Sequence, residues 1–415
     1  MRILVDENIP LAGELFGSLG DVVMVNGREV DEGYPGLERF DAMAIRSVTR
    51  VTPALVDRAA NLRAIGTATI GTDHLDVAHI RSANRTRRRP IEVFSAPGSN
   101  AESVADYVWY ALAHVTRDAM APLADSSLGI IGFGNCGNRV ARRAEGFGMQ
   151  VLRCDPPLAE RDPKFVSHSL EEALGADFVM LHVPLTRAGE APHPTHHMIG
   201  AAELGLMKPD AWLVNTSRGG VVDSQALVAA LQEGTIGGAV LDVFEGEPTP
   251  AEGLIEWPGL ATPHVAGYAV EGKRRGAIVV YQAFCRLFGR ECPQTQPLLM
   301  SGFVPPEGER VPFPGDGPER LAADNAVRSL LARTHDIGAV SRELKGTLGS
   351  DRRGELFDRM RRDYEHDYGR HELAVYRVGF GDSVPEGLRA QVAVRLRGFG
   401  AEVVEQGAHY LLTVR

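Results

Sequence analysis

Short apolar runs recur along this chain with helix-forming stretches between them, and that alternation sets its class. In residues 1 to 98 the pattern predicts strands at Arg2–Val5, Val22–Val25, Ala42–Ile45, Leu62–Ile65 and Ile91–Phe94, with helices at Pro53–Ala60 and Leu75–Ser82. Parallel neighbours are joined through crossovers, so strands alternating with helices imply a parallel α/β sheet. A helix over Ala101–Val115, with Asn100 or Ser99 expected as its N-cap, carries Val104, Val108, Trp109 and Leu112 at near-helical spacing and bridges to a second block. There the rhythm resumes, with strands at Leu128 to Ile131, Met149–Cys154, Phe178–His182, Trp212–Asn215 and Gly238–Asp242. A helix over Val270–Phe288 follows, and Pro293 to Pro318, rich in proline and glycine, reads as a linker. Beyond it, helices are expected at Glu319–Arg333, Arg353–Tyr364 and Glu386–Arg397, and strands at His371–Val378, Glu402–Val404 and His409–Val414.

The second block opens on Gly132-x-Gly134-x-x-Gly137, between an apolar strand and a helix, and its next strand ends on Asp155. In a dinucleotide-binding βαβ unit each of these has a job. Gly132 makes the tight turn, Gly134 lets backbone approach a pyrophosphate, and Gly137 lets helix pack on strand. The helix N-terminus offers free N–H groups and a positive dipole end. Asp155 would accept hydrogen bonds from the ribose hydroxyls and repel a 2′-phosphate, which selects NAD over NADP. Val183-Pro184, just beyond a later strand, is expected beside the nucleotide.

Three further motifs follow strands: Asn215-Thr216-Ser217-Arg218-Gly219, Asp242-Val243-Phe244-Glu245-Gly246-Glu247-Pro248, and Thr262-Pro263-His264-Val265-Ala266-Gly267-Tyr268. An arginine, an acid and a histidine at strand exits suit hydride chemistry on a 2-hydroxy acid. The arginine forks a carboxylate, the histidine takes the hydroxyl proton, and the acid orients and charges the histidine. In the first block Arg46-Ser47 and Gly66-Thr67-Ala68-Thr69 also end strands, where an oxyanion or phosphate can be held. Turn capping is the alternative reading.

Composition narrows the reading. With 415 residues, 44% hydrophobic and 24% charged, the chain has room for two or three domains. A net charge of −10 argues against non-specific nucleic-acid binding. No apolar run nears the roughly 20 residues that span a bilayer, no signal peptide is expected from MRILVDENIP, and four cysteines without zinc spacing suit reduced thiols in the cytoplasm. His193, His196 and His197 lie in a proline-rich loop with no carboxylate at ligand spacing, so no metal is expected. The basic run Asn84–Pro90 reads as a solvated loop.

GFGNCG, NTSRGGVVD, LDVFEGEP and TPHVAGY together resemble the D-2-hydroxyacid dehydrogenase family, and ILVDENIP, IRSVT, GTATIGTDHLD and APGSNAESVADYV narrow the resemblance to members that act on a phosphorylated 2-hydroxy acid. PGSN departs mildly from a PGCN-like segment, and the stretch around NRTRRRP is longer than the family leads one to expect. The resemblance implies a Rossmann-type doubly wound nucleotide domain (99–264), a flavodoxin-like substrate domain (1–98 plus about 265–292), a linker (293–318) and a small α/β C-terminal domain (319–415) that makes a homodimer. A ligand-sensing role for that last domain is the competing expectation. It implies NAD as cofactor and Arg218, Glu247 and His264 as catalytic residues. Gly132, Gly134, Asn135, Cys136, Gly137, Asp155, Val183, Thr216, Ser217, Arg218, Asp242 and Gly267 would touch the cofactor, and Ser47, Thr69 and Tyr268 the substrate, with Arg46 and one of Lys273, Arg274 and Arg275 as candidates for a phosphate. A different substrate such as 3-phosphoglycerate, or a non-catalytic NAD-binding protein on the same scaffold, stays open from sequence, and turnover separates them.

Overall fold

In the computed structural model residues 1–293, 295, 309–311, 319–375, 378–380 and 384–399 are described. The strands expected at Glu402–Val404 and His409–Val414, and most of the expected linker, lie outside them. The chain divides into two compact units, 1–100 with 269–304 and 101–268 with 305–415.

The first unit is a five-stranded parallel sheet of β1 (Arg2–Asp6), β2 (Asp21–Val25), β3 (Ala42–Ile45), β4 (Ala64–Thr67) and β5 (Glu92–Phe94), in the order β2-β1-β3-β4-β5. The two-residue period of a strand sends Ile3 and Val5 to one face and Leu4 to the other, and a separate core forms on each. On the first face lies the helix Val270–Phe288, whose bounds the sequence predicts. It sits so close to β4 that a Cβ on Gly66 would overlap Val280 Cγ1.

The second unit holds a six-stranded parallel sheet: β6 (Ser127–Ile131), β7 (Gln150–Cys154), β8 (Phe178–Leu181), β9 (Trp212–Asn215), β10 (Gly238–Leu241) and β11 (Leu260–Ala261). Its order is β11-β10-β9-β8-β6-β7, so the winding reverses at β6, where ligands of such sheets bind beyond the strand ends. The C-terminal helices Ile337–Lys345 and Arg353–Tyr368 add Val340, Leu344, Phe357, Met360 and Tyr364 to the core that also holds Leu241, Phe244, Ala261 and Val265. Buried ion pairs tie in the rest: Arg143 to Asp106 at 2.6 Å and to Glu102 at 2.8 Å, and Arg395 to Asp324 at 2.6 Å.

Three expectations are corrected. The chain from His371 does not run as one strand. It makes a 3-10 turn at Leu373–Val375 before a strand at Val378–Phe380, because Asp106 takes the Leu373 N–H at 2.8 Å and Ser103 holds Glu372 at 2.7 Å. Asn100 does not cap the helix Ala101–Val115, since its Oδ1 is buried without a hydrogen bond. The basic run is more than a solvated loop: Arg87 donates to the carbonyls of Val56, Ala59, Ala60 and Leu62, closing the end of the helix Pro53–Arg58.

Candidate active site

The glycine loop has the shape its residues suggest. Gly132 adopts φ +92°, and a Cβ there would strike the His182 carbonyl oxygen at 2.6 Å and Val183 Cγ1 at 2.9 Å, so Val183 lies against the glycine loop. A Cβ on Gly137 would overlap the Gly132 carbonyl oxygen, whereas Gly134 has open space at its Cβ position. Gly134 is the N-cap of the helix Asn135–Phe147 and makes no side-chain cap, which leaves the first-turn N–H groups for an anion. Asn135 is exposed in that turn. Cys136 is half-buried, and burial pushes its thiol up to about 11 despite nearby Arg139 and Arg218, so it stays neutral.

Asp155 stands at the end of β7 with Oδ2 accepting from Phe133 N at 2.8 Å and Oδ1 from Leu158 N at 2.9 Å. It therefore ties the glycine loop to the next helix. Each oxygen keeps lone-pair capacity for a hydroxyl. His182, which the sequence reading passed over, sits beside this loop. Burial takes its pKa down to about 4, Nδ1 lies 3.3 Å from Thr216 Oγ1, and Nε2 is buried with no partner. An unsatisfied buried nitrogen at the sheet's switch point fits a site shaped for a further polar group. The open Gly134, the uncapped helix end and Asp155 together fit NAD.

The turn after β9 is organised by Asn215. Its Oδ1 accepts from Ser217 N at 3.0 Å and Ser217 Oγ at 2.8 Å, and its Nδ2 donates to the Arg218 carbonyl at 3.0 Å. Ser217 is thus engaged within the turn, and Thr216 faces His182. Gly219 presses this turn on the loop after β10, since a Cβ there would overlap the Phe244 carbonyl carbon. That contact sets Arg218 beside the loop of Glu247. Arg218 is half-buried, and its Nη1 donates to the Ser217 carbonyl at 2.7 Å.

Glu247 and His264 meet as the motifs suggest, with Nδ1 2.8 Å from Oε2, while Glu247 Oε1 accepts from Phe244 N at 2.9 Å. Burial pushes the Glu247 carboxyl up, but the charge and hydrogen bond of His264 and the charge of Arg361 more than offset it, so its pKa lies below the usual value. His264 is held at φ +56°, an uncommon conformation for a residue with a Cβ. Asp242, buried after β10, keeps it there. Its Oδ1 accepts from Val265 N and Thr262 Oγ1, both at 2.7 Å, and its Oδ2 from Ala266 N at 2.9 Å, while Tyr107 reaches Thr262 at 2.5 Å. Burial lifts Asp242 to about 6 against those bonds and the charge of His264. Asp242 holds the histidine loop in place. Gly267 lies in the same loop, between two carbonyls, those of Ala266 and Tyr268, that accept hydrogen bonds from Arg370.

In the first unit, Arg46 and Ser47 follow β3, and Ala68 and Thr69 follow its neighbour β4, joined by the bond Ala68 N to Ile45 O at 2.9 Å. Thr69 Oγ1 lies 2.6 Å from Thr67 Oγ1, which His74 also reaches at 3.0 Å. Gly276 allows the helix Val270–Phe288 to approach: a Cβ there would be 2.7 Å from the Ala68 carbonyl oxygen. Ser47 is exposed, and Arg46 Nη1 donates to the Asn8 carbonyl at 3.1 Å. Arg275 Nε is engaged by the Ser99 carbonyl at 2.8 Å.

The loop histidines do find carboxylates. His193 pairs with Glu160 at 2.8 Å, and His197, stacked on His196, pairs with Glu245 at 2.8 Å. These hydrogen bonds pin the loop. Among the described residues, His196, His197 and Glu245 come within mutual reach of one ion, but the hydrogen bond already accounts for Glu245 and His197. No helix among the described residues is long and apolar enough to cross a membrane.

Comparison with known proteins extends the geometry. The profile of the D-isomer specific 2-hydroxyacid dehydrogenase NAD binding domain matches residues 101–266. The chain is 42% identical over 394 residues to an erythronate-4-phosphate dehydrogenase of Salinibacter ruber, covering 93% of this chain and 95% of that one. With the enzyme of the same name from Aeromonas hydrophila it is 40% identical over 370 residues, 88% and 92% of the two chains. Among solved structures, D-lactate dehydrogenase of Aquifex aeolicus, complexed with NAD and lactic acid, aligns with TM-score 0.56 and 26% identity over 69% of this chain and 96% of that one. The TT0316 protein of Thermus thermophilus aligns with TM-score 0.56 and 30% identity over 71% and 99%.

Proposed function

The chain belongs to the D-isomer specific 2-hydroxyacid dehydrogenase family, and on that footing we propose that it oxidises 4-phospho-D-erythronate at C2 with NAD, giving 2-oxo-3-hydroxy-4-phosphobutanoate, a step we assign to pyridoxal 5′-phosphate biosynthesis. NAD, when bound, accepts the hydride from C2. The observation that carries the chemistry is the His264–Glu247 pair at 2.8 Å, beside the turn that bears Arg218 and on a sheet that opens with the glycine fingerprint.

The residues divide the work. Arg218 forks the substrate carboxylate and polarises the adjacent C2 oxygen. His264, its Nδ1 held by Glu247, takes the C2 hydroxyl proton on Nε2 as the hydride leaves. Glu247 stays ionised and stabilises the imidazolium that results. Asp155 accepts from the ribose, and Gly132, Gly134 and Gly137 let the pyrophosphate reach the helix end. Ser47, Thr69 and Tyr268 are assigned to the substrate, and Arg46 with the first turns of Val270–Phe288 to its phosphate. The C-terminal segment is assigned to a homodimer contact and the protein to the cytoplasm; a light-scattering mass of a single chain would remove the dimer.

The test is turnover of 4-phospho-D-erythronate, 3-phosphoglycerate and unphosphorylated erythronate, with the 2-oxo product followed directly in case reduced cofactor stays bound. Phosphoerythronate is expected to be preferred, and His264→Ala to lose on the order of 10²–10⁴ in rate. Preference for 3-phosphoglycerate would keep the chemistry and change the substrate. No turnover of any 2-hydroxy acid would sink the reading.

A further inference from the structure

The helix Arg353–Tyr368 lies on the loops that carry Glu247 and Tyr268. Phe357, fully buried, meets Phe244 edge-on at 6.0 Å, and Tyr364 meets Tyr268 at 6.2 Å. Arg353 pairs with Glu252 at 2.6 Å, and Gly354 is so near Thr249 that a Cβ would stand 2.7 Å from its Cγ2. Arg361 is four residues after Phe357 and three before Tyr364, hence on the same helix face. Its guanidinium acts through its charge on Tyr268 and Glu247, with Asp358 beside it on its own helix, and its Nε is buried without a hydrogen bond. Nine residues on, Arg370 is buried and donates to the Tyr268 carbonyl at 3.0 Å, to the Ser103 carbonyl at 3.2 Å and to the Ala266 carbonyl. The C-terminal segment thus grips the loop of His264 at its backbone and at a side chain.

We propose that this segment is part of the catalytic apparatus, with Arg361 as a positioning residue that fixes the Tyr268 hydroxyl and the Glu247 carboxylate for the reaction. The proposal rests on the dehydrogenase reading above. A guanidinium carries donors only, so beside the Tyr268 oxygen and the Glu247 carboxylate Arg361 can serve as donor and counter-charge. Glu247 has one oxygen on Phe244 N and the other on His264 Nδ1. The nearby cation favours its ionised form, and with it the charged partner that His264 needs as it gains a proton.

The experiment uses the full chain with Arg361→Met, Arg361→Lys, Tyr268→Phe and His264→Ala, following kcat and KM for the phosphorylated acid across pH, alongside NAD affinity and unfolding midpoint. Arg361→Met is expected to lower kcat/KM roughly ten- to a hundred-fold, the size of a lost charged hydrogen bond. Its acid-side limb should move to higher pH, because Glu247 holds its proton more tightly without the cation. NAD affinity should stay put. Arg361→Lys restores the charge and should return the limb to its place while KM stays raised. Wild-type kcat/KM and limb in Arg361→Met would overturn the proposal, as would an activity loss with the limb unmoved. Should Arg361→Met not fold, Tyr268→Phe and Arg361→Lys decide it. A double variant no worse than the poorer single supports the coupling, and additive losses overturn it. If His264→Ala keeps its activity, the dehydrogenase reading itself has failed; if it is dead while Arg361→Met is unimpaired, only the role of Arg361 falls.

Discussion

A single carboxylate, Asp242, accounts for how a histidine is kept in a left-handed conformation: three hydrogen bonds to its two oxygens close the turn on either side of the strain. Asp155 works likewise, bonding the glycine loop and the next helix. Both acids stand in recognisable motifs, so their presence was legible in the sequence. Their scaffolding bonds were not, because backbone N–H partners leave no mark on residue identity. Arg361 was illegible for a different reason: it is one of several arginines in a charged helix, and what distinguishes it is a loop far away in sequence. Arg46 belongs between these cases, legible as an arginine at a strand end. Arg46→Ala should raise KM for the phosphorylated acid about ten- to a hundred-fold and leave NAD affinity alone. Steady-state kinetics against an NAD titration would show it, and an unchanged KM would remove Arg46 from the phosphate site.

Among elements, those with a strong period read most easily. β3, β9 and the helices Ala101–Val115 and Val270–Phe288 fall where the apolar pattern puts them, since each buries its own regular face. The helix Ile337–Lys345 escaped notice although its signals are present: Asp336 caps it through Ala339 N at 2.9 Å, and Ile337, Val340 and Leu344 share a stripe. Nine residues gave too short a window for the period to stand out. The segment from His371 failed as a strand because the side chains of Ser103 and Asp106 claimed its groups. Helix Arg353–Tyr368 is joined to the nucleotide sheet's core through Phe357. Phe357→Ala should therefore cost about 3–5 kcal/mol of unfolding free energy and lower activity with it. Denaturant titration would measure the first, and a loss under about 1 kcal/mol, well below the cost of emptying a core site, would mean the helix is not part of that core.

For the molecule as a whole, two histidines set a response to acid. Burial takes His182 to about 4, while burial and the charge of Arg370, partly offset by Asp336, take His335 to about 3. Both titrate near 6.5 once unfolded. Below that value the unfolded chain binds protons that the folded chain refuses, so their contribution is present above pH 6.5 and erodes as pH falls toward 4. His335→Gln should flatten the fall of Tm with acid in that window, and calorimetry showing an unchanged slope would refute it. The grip of Arg370 on the His264 loop has a consequence for synthesis. Its guanidinium bonds Tyr268 from 102 residues downstream, so a ribosome can complete the five- and six-stranded sheets while the histidine's turn still lacks its clasp. Catalytic competence would then arrive late in translation, and a messenger truncated before Arg370 would yield a nucleotide-binding chain that turns over nothing.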